Sequence, residues 1–157
     1  MKARPKKPSS ETVCSFTTVV MPEDTNPFGN LFGGRLVGLM DQAAYICAAR
    51  HSRRNCVTAS IERVDFRAPV RSGFIVIVEA RLQFVHRSSM EVGVKVSSEN
   101  PITGERASPC SARFTFVALG DDGRPVSVPD LELRSEEERR IFREGRRRFE
   151  ARQKHQM

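Results

Sequence analysis

Apolar positions along this chain follow two different periods. From Leu36 they recur at Leu39, Met40, Ala43, Ala44 and Cys47, the three-and-four spacing of one helix face. Val37, Tyr45, Ile46, Ala48 and Ala49 fill much of the remaining circumference. The pattern predicts a helix that is apolar nearly all round, and such a helix belongs inside a sheet. It is entered from a Pro/Gly-rich loop, NPFGNLFGG at 26–34, and Asp41 is its only charge between Arg35 and Arg50.

Elsewhere the period is two. Residues 11–21 are rich in β-branched side chains and predict a first strand. Val57, Ala59 and Ile61 alternate, then Val64 and Phe66 resume one step out of phase, which predicts a bulge near Glu62–Arg63. Residues 74–86 predict the longest strand, with Phe74, Val76, Val78, Ala80, Leu82 and Phe84 on one face. A tight break at Arg87-Ser88-Ser89 leads into 90–98, where Met90, Val92, Val94 and Val96 point inward. The strand within 107–119 puts Ala112, Phe114, Phe116 and Ala118 on one face, and GDDGRP at 120–125 makes a turn. Ser135 with Glu138 is a capping box that opens a last helix, whose narrow stripe (Ile141, Phe142, Gly145, Phe149) places it on the surface. The elements add up to an α+β protein, a curved and mostly antiparallel sheet wrapped around a central helix, plus a C-terminal helix. The domain spans 11–133, with a disordered basic tail over 1–10 and a helix with a basic tail over 134–157.

Composition changes this picture little. A length of 157 residues suits one domain with a real core. No apolar run approaches a membrane span, and the basic start MKARPKKPSS lacks the apolar segment of a secretory signal. The net charge of +7 invites a nucleic-acid reading, but it sits at the ends: +4 over 1–10, +4 over 134–157 and −1 between them. No specific nucleic-acid partner is expected, only nonspecific affinity from the tails. Cys14, Cys47, Cys56 and Cys110 show no metal-ligand or disulfide spacing, and His51, His86 and His155 are scattered. A cytoplasmic protein with free thiols and no metal is the expectation.

The candidate chemistry gathers on 26–41. Asp41 is either a structural acid paired with an arginine, or a general base or nucleophile toward an activated carbonyl. Gly33-Gly34 is either a plain turn or a stretch of bared amides at a helix start, able to hold an oxyanion. Asn26 has the flanks of a turn residue, and His51 and His86 lack a partnered nucleophile. From Gly33 to Asp41 is about 12 Å along a helix, so one chain can hardly aim both at the same atom. If both act in one site, they come from facing subunits of a symmetric dimer.

The run NPFGNLFGGRLVGLMD at 26–41 resembles the signature of hotdog-fold acyl-CoA thioesterases, in the branch that contains bacterial YciA-type enzymes and animal cytosolic acyl-CoA hydrolases. The likeness continues through VTAS (57–60), RSSMEV (87–92), FTFVAL (114–119) and the C-terminal helix, and so covers nearly the whole chain. It implies the hotdog fold, hydrolysis of acyl-CoA to a free acid and CoA, and no cofactor beyond the CoA of the substrate. Asp41 matches the family's catalytic aspartate, Asn26 the asparagine across the dimer interface, and Gly34, beside Gly33, the oxyanion donor. Gly33, Thr58, Arg87, Ser88, Ser89 and Arg148 fall where the family contacts its CoA substrate. The animal enzymes carry two such domains in tandem, so a single domain would have to form a homodimer, and the likeness suggests a trimer of dimers. Met40, Tyr45 and Phe66 would line the acyl pocket. A noncatalytic acyl-CoA sensor is the alternative from another class, and a hotdog dehydratase is disfavoured because no histidine lies within 26–41.

Overall fold

The computed structural model describes residues 3–156. Five strands form one antiparallel sheet in the order β2-β4-β5-β6-β3, from β2 (Cys14–Val19), β3 (Asn55–Phe66), β4 (Ile75–His86), β5 (Ser89–Glu99) and β6 (Arg106–Leu119). Helix α1 (Gly33–Ser52) lies against one face of it. Two three-residue strands, β1 (Lys6–Pro8) and β7 (Asp130–Glu132), pair in parallel beside this sheet. Helix α2 (Glu136–His155) packs on β4 from the other side.

The alternation read from the sequence sets the core. Val76, Val78, Ala80 and Leu82 of β4 face Met90, Val92, Val94 and Val96 of β5 and Ala112, Phe114, Phe116 and Ala118 of β6, and all of them are buried. Leu36, Leu39, Met40, Ala43, Ala44 and Cys47 of α1 close the same cluster. Alternate positions on three neighbouring strands share one face, which one helix stripe then covers.

Three expectations are corrected. First, β6 (14 residues) is longer than β4 (12 residues). Second, Phe84 does not share the face of Leu82. A register shift between Leu82 and Phe84 pairs Phe84 with Glu91 and gives Met90 to Val85, so Val85 enters the core and Phe84 turns outward. There its ring meets Phe142 and Phe149 of α2 at 4.9 and 5.8 Å. Gly145 permits this approach, since a Cβ there would stand 2.6 Å from that of Phe84. Third, the basic N-terminus is not a free tail. Met1 and Lys2 lie outside the described residues, but Lys6–Pro8 runs beside Asp130–Glu132. Lys7 donates from Nζ to the carbonyls of Arg50 and His51 at 2.9 and 3.0 Å, capping the C-terminus of α1. Arg4 pairs with Asp130 and reaches the carbonyl of Arg87 at 3.1 Å.

The bulge expected near Glu62–Arg63 is present: the β3–β6 register shifts between Glu62 and Asp65, and Arg63 has φ 55°. A second shift lies between Thr58 and Ser60. The four cysteines are free, and burial pushes the thiol of Cys47 up to about 11, which keeps it protonated and inert.

His51 is fully buried at the end of α1. Its Nε2 lies 2.7 Å from the carbonyl of Pro129, to which it donates, while Nδ1 has no partner among the described residues. Burial lowers its pKa, and Lys7 lowers it further against the opposing pull of Asp130. Protons therefore bind the unfolded chain before the folded one. His51 contributes stability that is intact above the ordinary imidazole value of about 6.5 and is lost as pH falls below it. The urea midpoint should drop between pH 7.5 and 5.5, and His51→Gln should flatten that slope.

Candidate active site

Asp41 stands just past the second turn of α1, beside the edge strand β3. Its Oδ1 accepts a hydrogen bond of 2.8 Å from Thr58 Oγ1 on β3. Among the described residues no arginine or lysine pairs with it, so it is not a structural half of an ion pair. One oxygen is oriented by a neutral donor and the carboxylate stays half-exposed. Beside it a trough of about 480 Å³ is lined by Phe16, Asp41, Gln42, Tyr45, Ile46 and Thr58. Sequence reasoning placed Tyr45 here but missed Phe16, Gln42 and Ile46, and it misplaced Met40, which is fully buried against Cys110 of the sheet. A signal for Gln42 and Ile46 was present: they stand four residues apart on one flank of α1, where Ile46 packs partly against the core.

The first turn of α1 supplies the amides. Leu36 is the first to find a backbone acceptor, the carbonyl of Phe32 at 3.0 Å. No side chain caps this end. The N–H groups of Gly33, Gly34 and Arg35 therefore project with the positive end of the helix dipole. A Cβ on Gly34 would come within 3.0 Å of the Phe32 ring, so that position is tight, whereas one on Gly33 would make an ordinary contact with Phe66 at 3.5 Å.

Asn26 is both the turn residue its flanks suggested and an oriented donor. Its Oδ1 accepts from the amides of Phe28 and Asn30 at 2.9 and 3.2 Å, and its own amide donates to the carbonyl of Asn30 at 2.8 Å. This network assigns the carboxamide: the oxygen is spent on the loop, and Nδ2 is left to donate outward. Arg35 and Asp24, paired at 3.1 Å, tie the loop to the helix start.

Arg87, Ser88 and Ser89 form the hairpin between β4 and β5. The turn is pinned by Val128 N on the Arg87 carbonyl (2.8 Å), Ala118 N on that of Ser88 (2.9 Å) and Ser89 Oγ on that of His86 (3.0 Å). Arg87 adopts φ 52°, a conformation that suits glycine. Arg87→Gly should raise stability by about 1 kcal/mol, read by urea unfolding.

Arg148 is not a free cation waiting for a nucleotide. Its Nε and Nη2 bind the carboxylate of Glu91, with Nε at 3.1 Å, and that carboxylate is almost fully buried. Glu91 points to the outer face of the sheet, away from α1, so within one chain Arg148 is remote from Asp41. One chain thus unites Asp41 with Thr58 and joins Asn26 to the start of α1, but it leaves these two halves apart along one straight helix.

Comparison with known proteins supports the same picture. A family profile described as the thioesterase superfamily matches residues 28–105. An uncharacterised acyl-CoA thioester hydrolase of Bacillus subtilis is 47% identical over 122 residues, covering 78% of this chain and 71% of that protein. The cytosolic acyl coenzyme A thioester hydrolase of Rattus norvegicus is 36% identical over 86% of this chain, which spans only 36% of that longer protein. Among solved structures, an apo hexameric acyl-CoA thioesterase superposes with a TM-score of 0.90 at 36% identity, covering 96% of this chain and 97% of its own. An acyl-CoA hydrolase of Staphylococcus aureus, solved with butyryl coenzyme A and coenzyme A, superposes at 0.87 with 33% identity, covering 97% and 93%. The latter has also been solved with an aspartate, an asparagine or a threonine replaced by alanine.

The chain belongs to the thioesterase superfamily, among its hotdog-fold acyl-CoA thioester hydrolases. Its activity class is thioester hydrolysis, with acyl-CoA as the substrate class.

Proposed function

We propose that this hydrolysis takes place at a composite site shared by two copies of the chain, with Asp41 of one facing the loop and helix start of the other. The observation that carries the proposal is the open side of the molecule. Strand β3 is a sheet edge whose Val57, Ile61 and Phe66 are exposed, and beside it the outward stripe of α1 exposes Tyr45. A long edge with apolar side chains is a surface that a stable protein covers. A twofold axis there would put the Gly34 amide and Asn26 Nδ2 of the partner subunit opposite Asp41.

In this arrangement Asp41, held by Thr58, takes a proton from water as the oxygen adds to the thioester carbonyl. The carbonyl oxygen becomes an oxyanion within reach of the partner's Gly34 N–H, with Asn26 of the partner subunit donating beside it. Collapse breaks the carbon–sulfur bond, and the CoA thiolate leaves and takes up the proton. A thioester is activated enough for a carboxylate to drive this reaction without a serine–histidine pair. Arg87, Ser88 and Ser89 are the candidates to hold the phosphates of CoA. Likeness to hexameric thioesterases supports a trimer of dimers, and likeness to cytosolic hydrolases supports a cytoplasmic location. No helix of the described residues is long and apolar enough to cross a membrane.

The test is release of free thiol from a panel of acyl-CoA chain lengths, with sedimentation of the same sample. Turnover by a dimer or a multiple of it is the expected result. Tight acyl-CoA binding without thiol release would favour the sensor reading, and full activity in a strictly monomeric species would exclude the shared site.

A further inference from the structure

The trough beside Asp41 serves the bond-breaking chemistry only at one end. Asp41 and Thr58 mark that end, and the other lining residues are Gln42, Tyr45, Ile46 and Phe16. Asp41 and Tyr45 are four residues apart on one helix face, about 6 Å along the axis. Long side chains on a helix lean back over the preceding turn, which directs the ring of Tyr45 toward the Asp41 end of the trough. Behind it stands Phe116, fully buried in β6, with ring centroids 6.3 Å apart and planes tilted by 58°. The ring is thus backed by the core on one side and 41% exposed on the other, into the space beside the carboxylate. Its position makes it the first large apolar surface met by an acyl group whose carbonyl lies at Asp41.

We propose that Tyr45 sets the acyl-chain length this enzyme accepts. The inference rests on the thioesterase site described above and deepens it. With the ring leaning toward Asp41, the space between carboxylate and ring is short, so short acyl groups fill it and longer ones must turn aside. Phe16 and Ile46 form the walls, and the ring of Tyr45 forms the stop. The phenolic hydroxyl is not needed for this, because the obstruction is the ring itself.

The experiment is a chain-length profile of kcat/KM from butanoyl- to decanoyl-CoA for wild type, Tyr45→Phe, Tyr45→Leu and Tyr45→Ala, each checked for its oligomeric state. Wild type and Tyr45→Phe should share one profile, favouring the short chains. In Tyr45→Ala the ratio of decanoyl- to butanoyl-CoA should rise at least about tenfold, since each methylene that gains burial is worth roughly a factor of four. Tyr45→Leu should shift the ratio in the same direction by less, and it carries the test if the alanine variant fails to assemble. An unchanged ratio in assembled, active Ala or Leu variants would overturn the proposal. So would a Tyr45→Phe profile that moved as far as that of Tyr45→Ala. Absence of thiol release by wild type at every length would instead overturn the thioesterase site on which the proposal stands.

Discussion

Replacing Asp41 by asparagine should lower kcat/KM for acyl-CoA by roughly three orders of magnitude and leave the fold and the assembly intact. The carboxamide has nearly the same shape, and its oxygen still accepts from Thr58, whose Oγ1 lies 2.8 Å from Asp41 Oδ1. What it loses is the ability to take a proton or to attack a carbonyl. The loss should fall on kcat, with KM little changed, because the carboxamide keeps the shape of the site. Stopped-flow thiol release and sedimentation of the variant check both halves. A variant retaining more than about a tenth of the wild-type rate would remove Asp41 from the chemistry. A single turnover in ¹⁸O-water tests one route directly: label recovered in the Asp41 carboxylate marks an anhydride opened at the Asp41 carbonyl.

The second large effect is on stability. Glu91 is 2% exposed, and its carboxylate is held by Arg148, with Arg152 at 3.7 Å from the other oxygen. Truncating Arg148 to alanine leaves a charge in a site that water barely reaches. Breaking a buried pair typically costs 3–5 kcal/mol, and the residual pull of Arg152 argues for the lower end, about 3 kcal/mol. At fixed protein concentration the Tm should fall by roughly 10 °C. Replacing both partners, Glu91→Met with Arg148→Leu, should recover most of the loss, because the cost lies in the orphaned charge and not in the missing bond. Catalysis per folded molecule should be unchanged by the double replacement.

The parts of this molecule that could be read from the sequence are those in which a local repeat meets a single packing direction. The stripe of α1 and the alternation of β4, β5 and β6 each continue over several periods, and a buried face leaves them no freedom. Even the bulge at Arg63 announced itself, because Val64 and Phe66 changed phase. The inversion at Phe84 did not, since Leu82, Phe84 and Val85 are all apolar and either phase reads as acceptable. Strand β1 escaped notice for a different reason: three residues carry no period, and their partner lies more than 120 positions away. At the site, Asp41 stood out as the only acid on an apolar helix. Its hydrogen bond from Thr58 is a tertiary fact, fixed by how β3 passes α1, and no spacing encodes it. The pairing of Arg148 was not legible, because a run of arginines on a helix gives no sign of which one the docking angle brings onto Glu91.

The order of strands in the sheet has a consequence for how the protein is made. Both edge strands, β2 and β3, come from the first 66 residues, while the three strands between them come from 75–119. During synthesis, then, β2 has no partner until β4 leaves the ribosome, and β3 waits for β6. Between them α1 emerges with an apolar stripe and no sheet to receive it. Chains emerging at about 5–20 residues per second would keep these segments exposed for several seconds. The nascent chain should therefore acquire no stable tertiary structure until β6 is complete, and then collapse in one step. A chain stopped before residue 119 would be a substrate for chaperones or for aggregation, however sound its local sequence.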